Sequence, residues 1–214
     1  MFASDRSLLV LEPMLFRDVV WVGQRLVSGT GDVAGTTLTL TSQDVTLEAA
    51  GVDAGYVVLV GGTPYEIIER LTASTATISR IRASTADGSL PPTPATSQAV
   101  VVMTFRPQIA MIHHQVLRML GIEPGASPLV GLPGESSITN PGALERIEAL
   151  GAIHLILAAA AALSPPESGL WARAEMYRQR FASERQRAIA RLDLDGDGVA
   201  DATRRLNVMH VIRA

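Results

Sequence analysis

The chain has 214 residues and a net charge of −3, and it contains no cysteine and no lysine, because arginine supplies all 18 basic residues. These counts exclude disulfides, thiolate chemistry, Schiff-base chemistry and a lysine-containing phosphate loop, and the charge predicts no overall attraction to nucleic acid or to an anionic membrane. Only 18% of the residues are charged, and the slightly positive mean hydropathy favours a subunit that hides surface against its neighbours.

Residues 1–32 are predicted to be helical. Leucine, valine and phenylalanine recur there at mixed helical spacing, and Pro13, which fits a first turn, predicts a short helix beginning near Glu12. The polar, glycine-rich run Ser28–Asp32 is expected to end this helix. Asp5 and Glu12 interrupt the apolar run at the start, which predicts no secretory signal.

Residues 33–105 change to the pattern of a β-sheet. Thr36–Thr41 and Thr75–Ile81 alternate polar and apolar residues with a period of two, and a Gly-Gly step at 61–62 between two apolar runs is typical of a hairpin. The two runs are Tyr56–Val60 and Pro64–Leu71. With a further strand over Ala99–Phe105, five short strands with tight turns predict a small barrel or sandwich.

From residue 106 onward the apolar spacing is helical again. Pro107 predicts a helix start, and one apolar face follows until Gly121 stops the helix. That face consists of Ile109, Ile112, Val116, Leu117 and Leu120. Asn140 is expected to cap the next helix, with Pro141 at its first position, and this helix is predicted to run to about Leu163.

The last third of the chain is predicted to hold one more long helix and a strand. The helix covers Ser168–Leu192, and the alternation over Leu206–Ile212 predicts an edge strand. Ala149–Leu163 is the longest apolar stretch; it is too short to span a bilayer and predicts a buried helix.

These elements predict an α+β fold with a mostly helical body and an inserted small all-β, barrel-like module. The body comprises residues 1–32 and 106–214, which end in a C-terminal arm, and the module comprises residues 33–105. The two ends of the module are expected to lie close together, because an insertion is tolerated in that arrangement.

An acidic run follows the last predicted helix. Asp193, Asp195, Asp197 and Asp201 alternate with glycine and apolar residues, and such spacing can place oxygen ligands around Ca²⁺ as in the first half of an EF-hand loop. Arg204 stands where that loop needs a bidentate glutamate. The alternative is a tight Asp/Gly turn whose carboxylates bind backbone N–H groups of their own loop.

Arginines form two stripes on the last predicted helix. One stripe repeats every seven residues and the second lies beside it, and the members are Arg173, Arg180, Arg187, Arg178 and Arg185. This arginine rail can contact a neighbouring subunit or a phosphate backbone. The alternative is a solvated face with local pairs of glutamate and arginine, Glu175–Arg178 and Glu184–Arg187.

The sequence offers no catalytic constellation. His113 and His114 are adjacent, so on a helix they point about 100° apart and cannot bind one metal from a single face. His154 lies in the alanine-rich helix and is expected to be buried or in an interface. No motif of an esterase, a zinc protease or a dinucleotide-binding enzyme occurs. The sequence therefore predicts a protein that is not an enzyme.

The C-terminal half resembles the head–tail connector (adaptor) proteins of tailed phages. The likeness rests on the run Leu170–Arg185, on the Asp-Leu-Asp-Gly-Asp-Gly turn that follows and on the basic tail, and it covers Pro107–Ala214. The order of the predicted helices is similar too. The β module is a departure from small adaptors.

The resemblance implies a structural virion protein in the neck between head and tail, assembled in the host cytoplasm. It implies a ring, commonly of twelve copies, that contacts the portal protein and a downstream neck or tail protein and passes DNA without sequence specificity. No cofactor and no membrane are implied. The expected partner-docking arm consists of Asn207, Val208, Met209, His210, Val211 and Ile212. The alternative hypothesis is a calcium-dependent binding module.

Overall fold

The computed structural model describes residues 1–125, 133–165 and 168–206. The chain divides into two compact units. One, called here the barrel unit, comprises Ser4–Arg106. The other, called here the helical unit, comprises Met1–Ala3 and Pro107–Ala214.

The barrel unit opens with two short helices, α1 (Asp5–Leu11) and α2 (Leu15–Asp18). Six strands then close into an antiparallel barrel in the order β1-β2-β5-β4-β3-β6. The strands are β1 (Arg25–Ala34), β2 (Thr37–Gln43), β3 (Val57–Val60), β4 (Thr63–Arg70), β5 (Thr75–Ser79) and β6 (Ala95–Met103).

Local sequence patterns account for most of the barrel. The predicted strands around Thr36–Thr41 and Thr75–Ile81 are confirmed as β2 and β5. The predicted hairpin is confirmed as well, because Val60 pairs with Thr63 across a two-residue turn. Gly61 and Gly62 have φ values of 56° and 80° there, and a two-residue turn of this hand requires positive φ at both positions.

Branched aliphatic side chains fill the barrel interior. They alternate along the strands with exposed threonines, as the two-residue period of a strand dictates. The residues that are at most 2% exposed include Val27, Leu38, Val58, Ile67, Ile78, Val100 and Val102. The interior of the barrel is therefore an apolar core.

The strand β1 is the element that the sequence misplaces. The run Ser28–Asp32 does not end a helix but lies in the middle of β1, which pairs with both β2 and β6. A Cβ on Gly29 would lie 1.9 Å from the carbonyl oxygen of Ser42, and the register shifts next to Gly31. These glycines permit a bulge and close backbone approach in a barrel strand.

The first helix is also misplaced. It begins at Asp5 rather than near Glu12, and Pro13 lies between α1 and α2. Because β1 begins at Arg25, the strands start before the boundary at residue 33 that the sequence suggests.

The helical unit contains α3 (Arg106–Met119, whose first residue belongs to the barrel unit), α4 (Gly142–Ala162) and α5 (Gly169–Arg187). The predicted start near Pro107 and the buried α4 are confirmed. The three helices meet at Gly151 of α4, where a Cβ would lie 2.9 Å from Cγ2 of Ile112 and 3.0 Å from Cε2 of Phe181.

A hairpin follows α5. Its strands are β7 (Ile189–Leu192) and β8 (Ala202–Arg205), so the prediction that the helix continues to Leu192 is wrong. Asn140 explains part of this difference. Its side chain accepts from the N–H of Arg191 at 2.7 Å and donates to the carbonyl of Ile189 at 2.9 Å, and it thereby holds β7 as a neighbouring strand would.

The fold class expected from the sequence, a mostly helical body with an inserted β module, is wrong. The chain is α+β, but helices make up 36% of it and its core is mostly that of the closed six-stranded barrel. The expectation fails because the local sequence around β1 and β7 favours helices, whereas both strands form by pairing with distant residues.

Candidate functional site: the acidic hairpin loop, the arginines of α5 and two buried charge bridges

The acidic run forms the loop between β7 and β8. One carboxylate oxygen from each of Asp193, Asp195 and Asp197 lies within 4.8 Å of the others, which is close enough for the three to share one cation. Asp201 does not join this group; its carboxylate accepts from the N–H of Leu194 at 2.9 Å. The loop closes a strand hairpin, whereas an EF-hand loop joins two helices.

The loop carboxylates also bind the backbone of the loop. Asp193 accepts from the N–H groups of Gly196 and Gly198 at 2.6 and 2.8 Å, and these hydrogen bonds lower its pKa. Asp195 accepts from the N–H of Asp197, which alone would lower its pKa, but partial desolvation and the neighbouring carboxylates raise it. The loop is therefore a self-capped turn that also concentrates negative charge.

The arginines of the predicted rail have different surroundings. Arg178 is exposed and makes a bidentate pair with Glu175 at 2.7 Å for each contact, and these hydrogen bonds lower the pKa of Glu175 to about 2. Arg180 lies over the ring of Tyr177 and Arg185 over that of Phe181.

The other two arginines of the rail differ in exposure. Arg187 is exposed near the end of α5, and Arg173 is half-buried. Glu184 pairs with Arg146 of α4 at 3.2 Å, which is a pairing between helices rather than the local one expected with Arg187. The C-terminal arm, residues 207–212, lies outside the described residues.

The helical unit contains a buried charge bridge that is absent from the predictions made from the sequence. His113 on α3 is 3% exposed, and its Nδ1 lies 2.6 Å from Oε1 of the fully buried Glu148 on α4. Its Nε2 lies 3.1 Å from Oε1 of Glu135. Burial alone would lower the pKa of His113, but the hydrogen bonds and charges of the two glutamates outweigh it and raise the pKa.

A signal for this bridge was present. His113 lies within the apolar stripe of its helix, and Glu148 lies within a helix that is apolar nearly all round. A buried polar group needs a partner, so two such exceptions on neighbouring helices predict each other.

The barrel unit contains a second charge bridge, of opposite composition. Glu66 on β4 is fully buried and its carboxylate accepts from Nε of Arg6 at 2.5 Å and from Nε of Arg82 at 2.7 Å. Arg82 also donates to the carbonyls of Thr85 and Asp87 and so organises the loop that follows β5.

Asp5 is a further buried carboxylate of the barrel unit. Burial raises its pKa to about 6, although the N–H of Phe105 and the hydroxyl of Thr104 each donate to it at 2.7 Å and Arg106 adds a favourable charge. Asp5 thus fixes the first turn of α1 against the end of β6.

The helical unit also exposes large apolar side chains. Leu163 follows the end of α4 and is 83% exposed, and Trp171 in the first turn of α5 is 48% exposed. In the sequence from Leu155 to Ala172, Glu167 is the one charged residue.

Comparisons with known proteins give no relative: no family model, no curated protein and no solved structure matches this chain. Within the described ranges, none of the helices combines the length and apolar character that a membrane crossing needs.

Proposed function

We propose that the chain is a non-enzymatic assembly subunit, an adaptor that forms a ring with copies of itself in the neck of a tailed phage. The resemblance of residues 107–214 to head–tail connector proteins supports this proposal. The helix α5 and the hairpin loop of Asp193–Asp201 lie within that region.

The observation that carries the proposal is the exposure of two large apolar side chains, one just after the end of α4 and one in the first turn of α5. Leu163 and Trp171 are large apolar side chains in a stretch, Leu155–Ala172, whose sequence contains a single charged residue. A surface of this kind on a soluble protein marks a contact with another macromolecule. Trp is also among the residues that contribute most to binding energy in interfaces.

In this proposal the subunit contacts its own copies, the portal protein and a downstream neck or tail protein. DNA passes through the lumen of the ring, which makes no base-specific contacts with it. In this proposal the arginine rail of α5 faces a neighbouring subunit rather than DNA, because Glu175 already neutralises the charge of Arg178 within the chain.

The test is the mass of the full chain by light scattering and native mass spectrometry, alone and mixed with the portal protein encoded nearest to it. We expect a large closed oligomer, or a ring that forms only on the portal. Trp171→Ser should reduce the assembled fraction and leave the helical content of the chain unchanged.

A matched control uses an exposed apolar residue of the barrel unit. Leu71 is 49% exposed, so Leu71→Ser removes similar exposed apolar surface and should leave assembly intact. A chain that stays monomeric at high concentration and beside the portal protein contradicts the proposal.

A calcium-dependent binding module is the second candidate, favoured by the three converging carboxylates of Asp193, Asp195 and Asp197. Oxygen donors suit Ca²⁺, but three carboxylates fall short of the six to eight ligands that it takes, so water or a partner would have to complete the shell. Binding to the native state would raise the thermal midpoint in millimolar Ca²⁺. Asp195→Asn should abolish that shift, and no shift in the unaltered chain contradicts this candidate.

A further inference from the structure

The surroundings of His113 specify its protonation state. Each ring nitrogen faces a carboxylate oxygen, Nδ1 that of Glu148 at 2.6 Å and Nε2 that of Glu135 at 3.1 Å. A neutral imidazole has one N–H and one lone pair, so it would turn a lone pair toward one of the two carboxylates. With both carboxylates ionised, only the imidazolium, which has two N–H groups, satisfies both contacts.

The same bridge holds the segment Met1–Ala3. Oε2 of Glu148 accepts from the backbone N–H of Phe2 at 2.9 Å and from that of Ala3 at 3.0 Å. The ring of Phe2 lies edge-on to the ring of His113, with centroids 5.0 Å apart. Met1–Ala3 therefore depends on a carboxylate whose other oxygen is bound by His113.

We propose that His113, Glu148 and Glu135 form a proton-operated clasp that holds the Met1–Ala3 segment on the helical unit. The clasp is closed when His113 is an imidazolium. It loosens when His113 loses a proton, because the contact to Glu135 then fails and the buried charge of Glu148 is left without a counter-charge. Local opening of the segment hydrates that carboxylate and becomes easier. This device goes beyond the proposed assembly function and does not depend on it.

Other charged groups near the ring leave this conclusion in place. The amino group of Met1 donates to the same oxygen of Glu135 at 3.2 Å and opposes the charge on His113. His114 lies beside it, with ring centroids 5.9 Å apart, but is exposed. The two carboxylates in direct contact outweigh both.

The direction of the pH dependence follows from linkage. A histidine whose pKa is higher in the folded state stabilises the fold fully below the unfolded value of about 6.5. That contribution disappears as the pH rises through the higher folded value. The segment should therefore be held at mildly acidic pH and released at alkaline pH.

The experiment is NMR of the full chain between pH 5 and 9. The ring nitrogens of His113 should both be protonated at pH 6, and its titration midpoint should lie above the ordinary histidine value of about 6.5. Protection of the Phe2 and Ala3 amides against exchange, corrected for intrinsic base catalysis, should be lost with the midpoint of His113.

Two variants keep the proposal falsifiable. Glu135→Gln alters a residue that is 42% exposed, so the fold should persist while the midpoint of His113 falls. His113→Gln should make the amide protection independent of pH. Glu123→Gln, at an exposed residue of the same unit, is the matched control and should change neither. A single neutral tautomer of His113 at pH 6, or amide protection that does not follow its titration, would overturn the clasp.

Discussion

The two units each bury one charged side chain between two partners of opposite sign, but with opposite chemistry. In the barrel unit, the carboxylate of Glu66 lies between the guanidinium groups of Arg6 and Arg82. In the helical unit, the imidazole of His113 lies between the carboxylates of Glu148 and Glu135. Both bridges join residues that are distant in sequence.

The difference lies in which group can lose its charge near neutral pH. A guanidinium stays protonated at every accessible pH, so the bridge at Glu66 is permanent above the acid range. An imidazole changes charge within the physiological range, so the bridge at His113 responds to pH. The same arrangement of charges therefore gives a bridge that does not respond to neutral pH in the barrel unit and a bridge that does in the helical unit.

The largest expected effect is that of Glu66→Gln. Removing the charge leaves two nearly buried guanidinium groups without a counter-ion, which costs about 3–5 kcal/mol when one partner of a buried pair is lost. Denaturant unfolding followed by Trp21, in a Trp171→Phe background, reports on the barrel unit. Glu69→Gln, an exposed change on the same strand, should cost less than about 0.5 kcal/mol. Equal losses in the two variants would refute the fixed bridge.

Asp5→Asn tests whether Asp5 is the source of the pH dependence that we expect for the stability of the barrel unit. The raised pKa, about 6 against 3.8, means that the folded state binds this proton more tightly than the unfolded state does. The free energy of unfolding should therefore decrease by on the order of 3 kcal/mol as the pH rises from about 4 to above 6. Asp5→Asn should remove this slope, and the exposed change Asp53→Asn should retain it. A slope that survives in Asp5→Asn contradicts the assignment.

Glu148→Gln should show a pH dependence of the same direction in the helical unit, but one set by the pKa of His113. Glutamine can still accept from Phe2 and Ala3, but it loses the charged hydrogen bond to His113, which costs about 2 kcal/mol. That loss should be complete below pH 6.5 and shrink as the pH rises through the folded pKa of His113, because the unaltered chain then loses the same contact. Hydrogen exchange of α4 peptides measures it. A loss of stability that does not change with pH would show that the bridge at His113 is as insensitive to pH as the bridge at Glu66.

Sequence reasoning succeeds where neighbouring residues decide the structure. The hairpin at Gly61-Gly62 and the start of α3 at Pro107 follow from backbone preferences that each residue carries by itself. The alternation of polar and apolar residues over Thr36–Thr41 likewise predicts a strand, because every second side chain of a strand faces the core.

Prediction from the sequence fails where a contact with a distant residue determines the local structure. A glycine such as Gly29 can end a helix or lie at a bend in a strand. Only the close approach of the backbone of Ser42 shows that Gly29 lies in a strand. The bridge at His113 is of the same kind, because its partner Glu148 lies on another helix and Phe2 at the start of the chain. The acidic loop lies between these cases: Asp193, Asp195 and Asp197 converge as their spacing suggests, whereas the carboxylate of Asp201 binds the N–H of Leu194 instead.

The smallest effect, that of Gly151→Ala, connects packing to the switchable bridge. The new Cβ would press on Ile112 and Phe181, and overpacking costs about 1–3 kcal/mol, partly offset by about 1 kcal/mol of helix propensity. Because Ile112 precedes His113 on α3, relief of the clash should displace the imidazole from Glu148, one turn away from Gly151 on α4. The midpoint of His113 should then fall toward 6.5, while the unfolding of the barrel unit stays unchanged. Gly142→Ala gains helix propensity without a neighbour within 4 Å, and it should leave the midpoint where it was. If Gly151→Ala lowers stability but leaves the titration of His113 unaltered, the bridge tolerates displacement and the packing of α3 on α4 does not set it.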